Sequence, residues 1–157
     1  MQARPFTLRV RLHFKGAHAA GVMLLGESGL ISRFDHLVLT VHSIEDTVRF
    51  YTDVLGMEQE IFGEGRVALK FGAQKINLHQ SGKEFEPKAR TPTPGSADVC
   101  FITDLPIHEA YGRVSVKKVQ IVEGIVSRTG AVGPIQSFYF RDPDQNLIEI
   151  SSYEVAT

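Results

Sequence analysis

Two histidines and two carboxylates in this chain, His36, His79, Asp98 and Glu149, are of the types that hold a divalent metal ion. Imidazole nitrogens and carboxylate oxygens are borderline-to-hard donors, and a mixed set of them suits Ni, Co, Zn or Mn. Their placement is what singles them out. His36 and Asp98 stand near the start of two strand-like runs, FDHLVLTV and SADVCFIT, while His79 and Glu149 stand near the end of two others, QKINLHQ and QNLIEIS. Taken singly, each has a plainer reading. A strand histidine is usually a surface or hydrogen-bonded residue, and an aspartate or glutamate is usually an exposed charge. Four such residues at repeat-related places make the joint case for one site. Strand alternation supports it: apolar neighbours such as Leu37, Leu39, Ile76, Leu78, Val99, Phe101, Ile148 and Ile150 fall on the face opposite each candidate.

The elements that must position these residues are legible from residue 33 onward. Phe34–Val41 alternates as a strand, and Ser43 followed by Asp46 three residues on forms a capping box. Ile44, Val48, Tyr51 and Leu55 recur at helical spacing until Gly56, a residue suited to ending a helix. Strands are expected at Met57–Phe62, Arg66–Phe71 and Lys75–Gln80, separated by glycine turns. The proline-rich stretch SGKEFEPKARTPTPGS interrupts, and the pattern then restarts. A strand is expected at Ala97–Thr103, a helix opened by Pro106, and strands at Gln120–Glu123, Gln136–Arg141 and Asn146–Ser151. Each half therefore reads strand–helix–strand–strand–strand. The second helix is the weakest element: IHEAYGRVSVKKV carries a glycine and three valines, and the repeat is the main reason to keep it. At their ends the halves align by their phenylalanines, Phe71 preceding His79 by eight residues and Phe140 preceding Glu149 by nine. That alignment places the extra residue in the turn where Asp142-Pro143-Asp144 replaces Gly72-Ala73, and those three residues read as a plain turn. Cys100 shares the face of Asp98 and reads as a small buried thiol. Arg128-Thr129-Gly130 reads as a solvated loop, with contact to a ligand anion as the sharper alternative.

Composition sets outer bounds. The chain has 157 residues, enough to bury a core without disulfides, and its single cysteine allows none within the chain. A net charge of −1 gives no reason to expect nucleic acid or an anionic membrane as partner, and no apolar run is long enough to span a bilayer. Residues 1–32 form an N-terminal extension of different character. Arg4, Arg9, Arg11 and Lys15 are basic, no acid precedes Glu27, and Phe6 to Phe14 alternates with a strand period. An extra edge strand, a targeting segment and an extension without structural role compete there. The expected location is the cytoplasm, with mitochondrial import the alternative that the basic segment raises.

FDHLVLTV, DTVRFYTDVLGM and RDPDQNLIEISSY resemble the hallmark stretches of the vicinal oxygen chelate superfamily, which holds glyoxalase I, extradiol dioxygenases and bleomycin and fosfomycin resistance proteins. NLHQSGKEFEPKA and RTGAVGPIQSFYFRDPD resemble its glyoxalase domain-containing branch more narrowly. The resemblance covers roughly residues 33–153. It implies an α+β fold of two tandem βαβββ modules, 33–81 and 96–153, forming a curled mixed sheet within one domain over 33–154, commonly in a homodimer. It also implies metal ligands on the first and last strands of each module, which carries over to His36, His79, Asp98 and Glu149. Two departures stand out. Many glyoxalase I enzymes carry a carboxylate on the fourth strand and histidine on the fifth, whereas here the positions hold His79 and Asp98. Bacterial-type glyoxalase I also has an arginine for glutathione four residues after the first ligand, and here that residue is Thr40, which argues against glutathione.

The expected function is therefore that of a metal-dependent lyase or isomerase acting on a small substrate with vicinal oxygens through an enediolate, with Glu149 as base. Two alternatives belong to other classes. One is a non-heme iron dioxygenase using His36, His79 and Glu149 as a facial triad, with Asp98 outside it. The other is a metal-free protein of the resistance type that sequesters a small molecule.

Overall fold

The computed structural model describes residues 29–153, in the order β1 (His36–Val41), α1 (Ile44–Leu55), β2 (Glu58–Phe62), β3 (Arg66–Phe71), β4 (Gln74–Gln80), β5 (Asp98–Ile102), α2 (Ile107–Ser115), β6 (Ile121–Thr129), β7 (Pro134–Arg141) and β8 (Leu147–Ser152). The alternating basic run before residue 16 and the GAHAAGVMLLG stretch lie outside the described residues, and so do the three readings of that segment and the import signal. Among the described residues no helix is long and apolar enough to cross a membrane.

The strands form two four-stranded mixed sheets of identical topology. The first runs β1-β4-β3-β2 and the second β5-β8-β7-β6. In each, the first and last strands of the module pair parallel, and the middle strands pair antiparallel. A parallel pair needs a crossover, and the stretch from α1 through β3 supplies it in the first sheet, as α2 through β7 does in the second. Local sequence explains the helix ends. Ser43 Oγ accepts from the Asp46 N–H at 3.2 Å, and Gly56 closes α1 with a φ of 69°, a left-handed conformation that glycine adopts without cost. The second helix forms in spite of Gly112, because Ile107, Ala110 and Val114 fall on one stripe and are buried.

One apolar cluster joins both modules. Leu39, Ile76 and Leu78 enter it from the first sheet, Phe138, Phe140, Ile148 and Ile150 from the second, and Tyr51 and Ile107 from the helices. Across the module boundary, Phe71 meets Phe101 edge-on at 5.2 Å and Phe50 meets Phe140 at 6.2 Å. Because each sheet presents its apolar side to this core, the other side of each sheet is the one free to carry chemistry.

Two expectations need correction. The Asp142-Pro143-Asp144 segment is more than a turn. Buried Asp142 accepts from the Tyr51 hydroxyl at 3.0 Å and from the backbone and side-chain nitrogens of Asn146, both at 2.8 Å. Burial, and then the Asp142 carboxylate, push the Tyr51 phenol far above its ordinary range. Asp144 pairs with His42 at 2.5 Å, so with the Tyr51 bond this turn fastens the two modules together, while within the second module Asn146 accepts from the Ala97 N–H at 2.9 Å. Strand β6 is also longer than expected and takes in Arg128 and Thr129, which were read as loop. Its pairing with β7 shifts register between Ile121 and Glu123 and again between Glu123 and Val126, and such bulges erase the period-two pattern by which a strand is recognised.

Candidate functional site

The four singled-out residues all lie on the strand faces turned from the core: His36 and Asp98 open their strands, His79 is last but one in its strand, and Glu149 stands within β8. Within one chain they do not come together: among the described residues no three His, Cys, Asp or Glu side chains are close enough to hold one metal ion. The candidates instead divide between the two sheets, two on each.

On the second sheet, Asp98 pairs in register with Leu147, and Glu149 lies two residues beyond, so the two carboxylates are one diagonal step apart. On the first sheet, His36 pairs with Lys75, and the residue two beyond is Asn77. His79 is four residues beyond, about 13 Å along the strand at ordinary strand rise. The register thus shifts the repeat by two residues from the alignment that the phenylalanines suggest. Asn77, not His79, is the first sheet's counterpart of Glu149, and His79 is the counterpart of Ser151. The reason is that Leu69, rather than Phe71, occupies the place of Phe140: Leu69 faces Ile76 as Phe140 faces Ile148.

Glu149 is held by a built network. The Tyr139 hydroxyl donates to its Oε1 at 2.8 Å and the Ser151 hydroxyl donates to the same oxygen at 3.1 Å. Behind them, Arg128 Nε donates to the Tyr139 oxygen at 3.1 Å, and Ser137 and Ser151 hydroxyls meet at 2.8 Å. Partial burial works to raise the Glu149 carboxyl, but the donor groups around it, those of Ser137, Tyr139, Ser151 and Cys100, outweigh it and hold the group below the usual carboxylate range. Cys100 is exposed rather than buried, correcting the expectation for it, and its sulfur lies 3.2 Å from the Ser151 hydroxyl. Partial burial of the sulfur pushes the thiol up, which suits an inert thiol better than a nucleophile.

Asn77 has no such shell. Its Oδ1 is buried without a hydrogen-bond partner among the described residues, and its neighbours across the sheet are Val38 and Ala68. A buried amide oxygen left unpaired costs stability unless water or an ion meets it, so it fits a donor awaiting a ligand. His36 is half exposed, and its Nδ1 lies 2.8 Å from Asp35, whose carboxyl it holds below the usual range through that bond. A carboxylate on one imidazole nitrogen fixes the ring and leaves the other for a metal. His79 meets the edge of the Phe85 ring at 5.6 Å, where it helps line a cleft of about 470 Å³ with Thr40, Lys88 and the segment 87–93. Taken together, the donor types on the two sheets, an imidazole, an amide oxygen and two carboxylates, are of the kind that suits a divalent ion of moderate hardness.

Several participants escape a linear reading. Tyr139, Ser151 and Arg128 belong to the site only through register and side-chain reach. Asp35 could have been found, since it adjoins His36 in sequence.

Residues 33–150 match the model of the Glyoxalase/Bleomycin resistance protein/Dioxygenase superfamily. The chain is 60% identical over 124 residues to the virulence protein STM3117 of Salmonella typhimurium, covering 79% of this chain and 86% of that protein. The crystal structure of that protein superposes with a TM-score of 0.78, covering 80% of this chain and 99% of the other. A glyoxalase domain-containing protein, RDO1, of Mycosarcoma maydis is 57% identical over 126 residues, covering 80% and 71%. A lactoylglutathione lyase from Agrobacterium tumefaciens shares the fold, with a TM-score of 0.61 at 24% identity over 78% of this chain and 95% of the other. Two βαβββ modules with chemistry-bearing faces turned from a shared core, and a family match that spans both, lead to one conclusion: this chain belongs to the glyoxalase/bleomycin resistance protein/dioxygenase superfamily.

Proposed function

We propose that the chain is a metal-dependent lyase or isomerase of the glyoxalase type, active as a homodimer in which the first sheet of one copy faces the second sheet of the other. The observation that carries this reading is the pair of matching diagonals, His36 with Asn77 and Asp98 with Glu149, each incomplete alone. Of the four ligands expected from the sequence, His36, Asp98 and Glu149 keep that role, and Asn77 takes the place of His79. His79, beside Phe85 at the cleft, faces the substrate instead.

A bound Ni, Co, Zn or Mn ion would supply Lewis-acid polarisation of two neighbouring substrate oxygens. The protein's own groups do the rest. The Glu149 carboxylate takes a proton from the carbon beside the polarised carbonyl and returns it to the adjacent carbon, which isomerises the substrate without an external oxidant or reductant. The network that keeps Glu149 anionic also makes it a weak base, so proton removal depends on the substrate proton being acidified first. Thr40, buried at 9% exposure, offers no charge to a glutathione carboxylate, which favours a small substrate taken without that thiol.

The iron dioxygenase reading loses support from geometry, since its triad needs His36 and His79 together and the register separates them by four residues. Metal analysis of the purified protein beside a Glu149→Ala variant tests the main reading, together with methylglyoxal turnover with and without glutathione. Metal in the wild type alone, with turnover that does not need glutathione, is the expected result. Equal metal in both proteins, or oxygen uptake with catechols, would overturn it.

A further inference from the structure

We propose that Tyr139 and Ser151 restrict Glu149 to binding a metal ion through one oxygen, Oε2, and that Arg128 locks Tyr139 in the orientation this requires. The proposal rests on the metal-dependent reading above and deepens it, since it concerns how one ligand is presented.

The argument is a count of protons and lone pairs. Both hydroxyls reach the same carboxylate oxygen, Oε1, at 2.8 Å from Tyr139 and 3.1 Å from Ser151. A phenol has one proton. Arg128 Nε donates to the Tyr139 oxygen at 3.1 Å, and a guanidinium cannot accept, so the phenol proton has only Glu149 to go to. Arg128 is in turn fixed by Glu123 Oε2 at 2.7 Å. The same reasoning applies to Ser151. Its one proton is spent on Glu149, so in its contacts with Ser137 at 2.8 Å and Cys100 at 3.2 Å those two groups are the donors. Among the described residues, the hydrogen bonds donated to this carboxylate within 3.5 Å come from Tyr139 and Ser151, both fall on Oε1, and none falls on Oε2. A carboxylate with one oxygen engaged twice by neutral donors meets a metal with the other, and rotation to a bidentate mode would break both hydrogen bonds.

The equivalent positions on the first sheet supply a contrast. Ala68 stands where Tyr139 does, and among the described residues Asn77 Oδ1 has no donor. An amide has only one oxygen to offer, so no device is needed there to choose between two. Tyr139 and Arg128 are positioning residues in this scheme, acting through Glu149.

The test is cobalt(II) binding by the full chain, read by titration and by visible absorption, whose intensity falls as coordination number rises. In Tyr139→Phe, which keeps the ring and its packing, the expected result is a weaker and shifted cobalt band with affinity about 10-fold lower, the scale for losing a group that orients a ligand. Arg128→Met leaves the phenol in place but frees its proton, and it should move the spectrum in the same direction by less. Both variants retaining the wild-type spectrum and affinity would overturn the proposal while leaving the metal-dependent reading intact. A wild type that binds no cobalt at all would overturn both.

Discussion

The two sheets share a topology and a register, yet their outer faces have been equipped differently. On the second sheet, Tyr139, Ser137 and Ser151 surround Glu149 with hydroxyls, and Arg128 braces them from the next strand. On the first, the matching places hold Ala68, Arg66 and His79 around Asn77. There the traffic is cationic. Lys75 crosses β3 to reach Glu60 at 3.4 Å and lies 3.9 Å from the Phe62 ring centre, a path left open by the single methyl of Ala68. Arg66 stacks over the same ring at 4.8 Å. Duplication thus fixes where a ligand can stand, while the residues one strand away decide what that ligand can do. A negative, oriented carboxylate is available on one sheet, and a neutral amide oxygen on the other.

This contrast can be broken most directly at the matched pair. Glu149→Gln should weaken divalent metal binding by more than about 100-fold, since even loss of an orienting neighbour costs about 10- to 100-fold. Asn77→Ala should cost about 10-fold by the same scale, and isothermal titration of both would show whether the second sheet dominates. Equal losses would mean that the two faces contribute alike.

The next effect concerns stability. Tyr51→Phe leaves Asp142 buried with one donor fewer and should lower unfolding free energy by about 1–3 kcal/mol, read by denaturant titration. The His42 ion pair with Asp144 has one well-exposed partner, so His42→Ala should cost no more than about 1 kcal/mol. A reversal of that order would place the module fastening at Asp144 rather than at Asp142.

Ser151 and His79 occupy equivalent places and offer a sharper comparison. Ser151→Ala should reduce metal affinity by about 10-fold through Glu149. His79→Ala should leave metal content unchanged and act on KM, because it faces the cleft beside Phe85. Metal lost from the His79 variant to the level of Glu149→Gln would restore His79 as a ligand and refute the register argument.

The smallest effect is one of pH. The Gly82 N–H, then the residue's own N–H, hold the Glu84 carboxyl below its ordinary value of 4.5. A depressed folded value means that this contribution is present above the ordinary value and disappears as pH falls through the lower one. Glu84→Gln should therefore raise hydrogen exchange in the 81–96 segment at neutral pH, and the difference from the wild type should vanish as pH falls through the depressed value.

Much of this architecture was legible in the chain itself. The capping box at Ser43, the helix stop at Gly56 and the alternation in β1, β4 and β8 are local signals, and each formed the element expected of it. The bulged β6 was not legible beyond its first residues, because two register shifts scramble its alternation. The Asp142 turn was undervalued because its partners, Tyr51 and His42, lie far away in sequence.

The candidate site divides the same way. Sequence alone determined that His36, Asp98 and Glu149 stand on strand faces turned from the core, because side-chain direction follows from period-two alternation. It could not choose between Asn77 and His79. Both lie on the same face of β4, and periodicity cannot distinguish residues two apart. Only the pairing of β1 with β4 and of β5 with β8 decided which residue stands beside His36, and only side-chain packing across three strands showed that Glu149 has an oriented shell and Asn77 none. Hydrogen bonds between strands set distances that no spacing along one strand encodes.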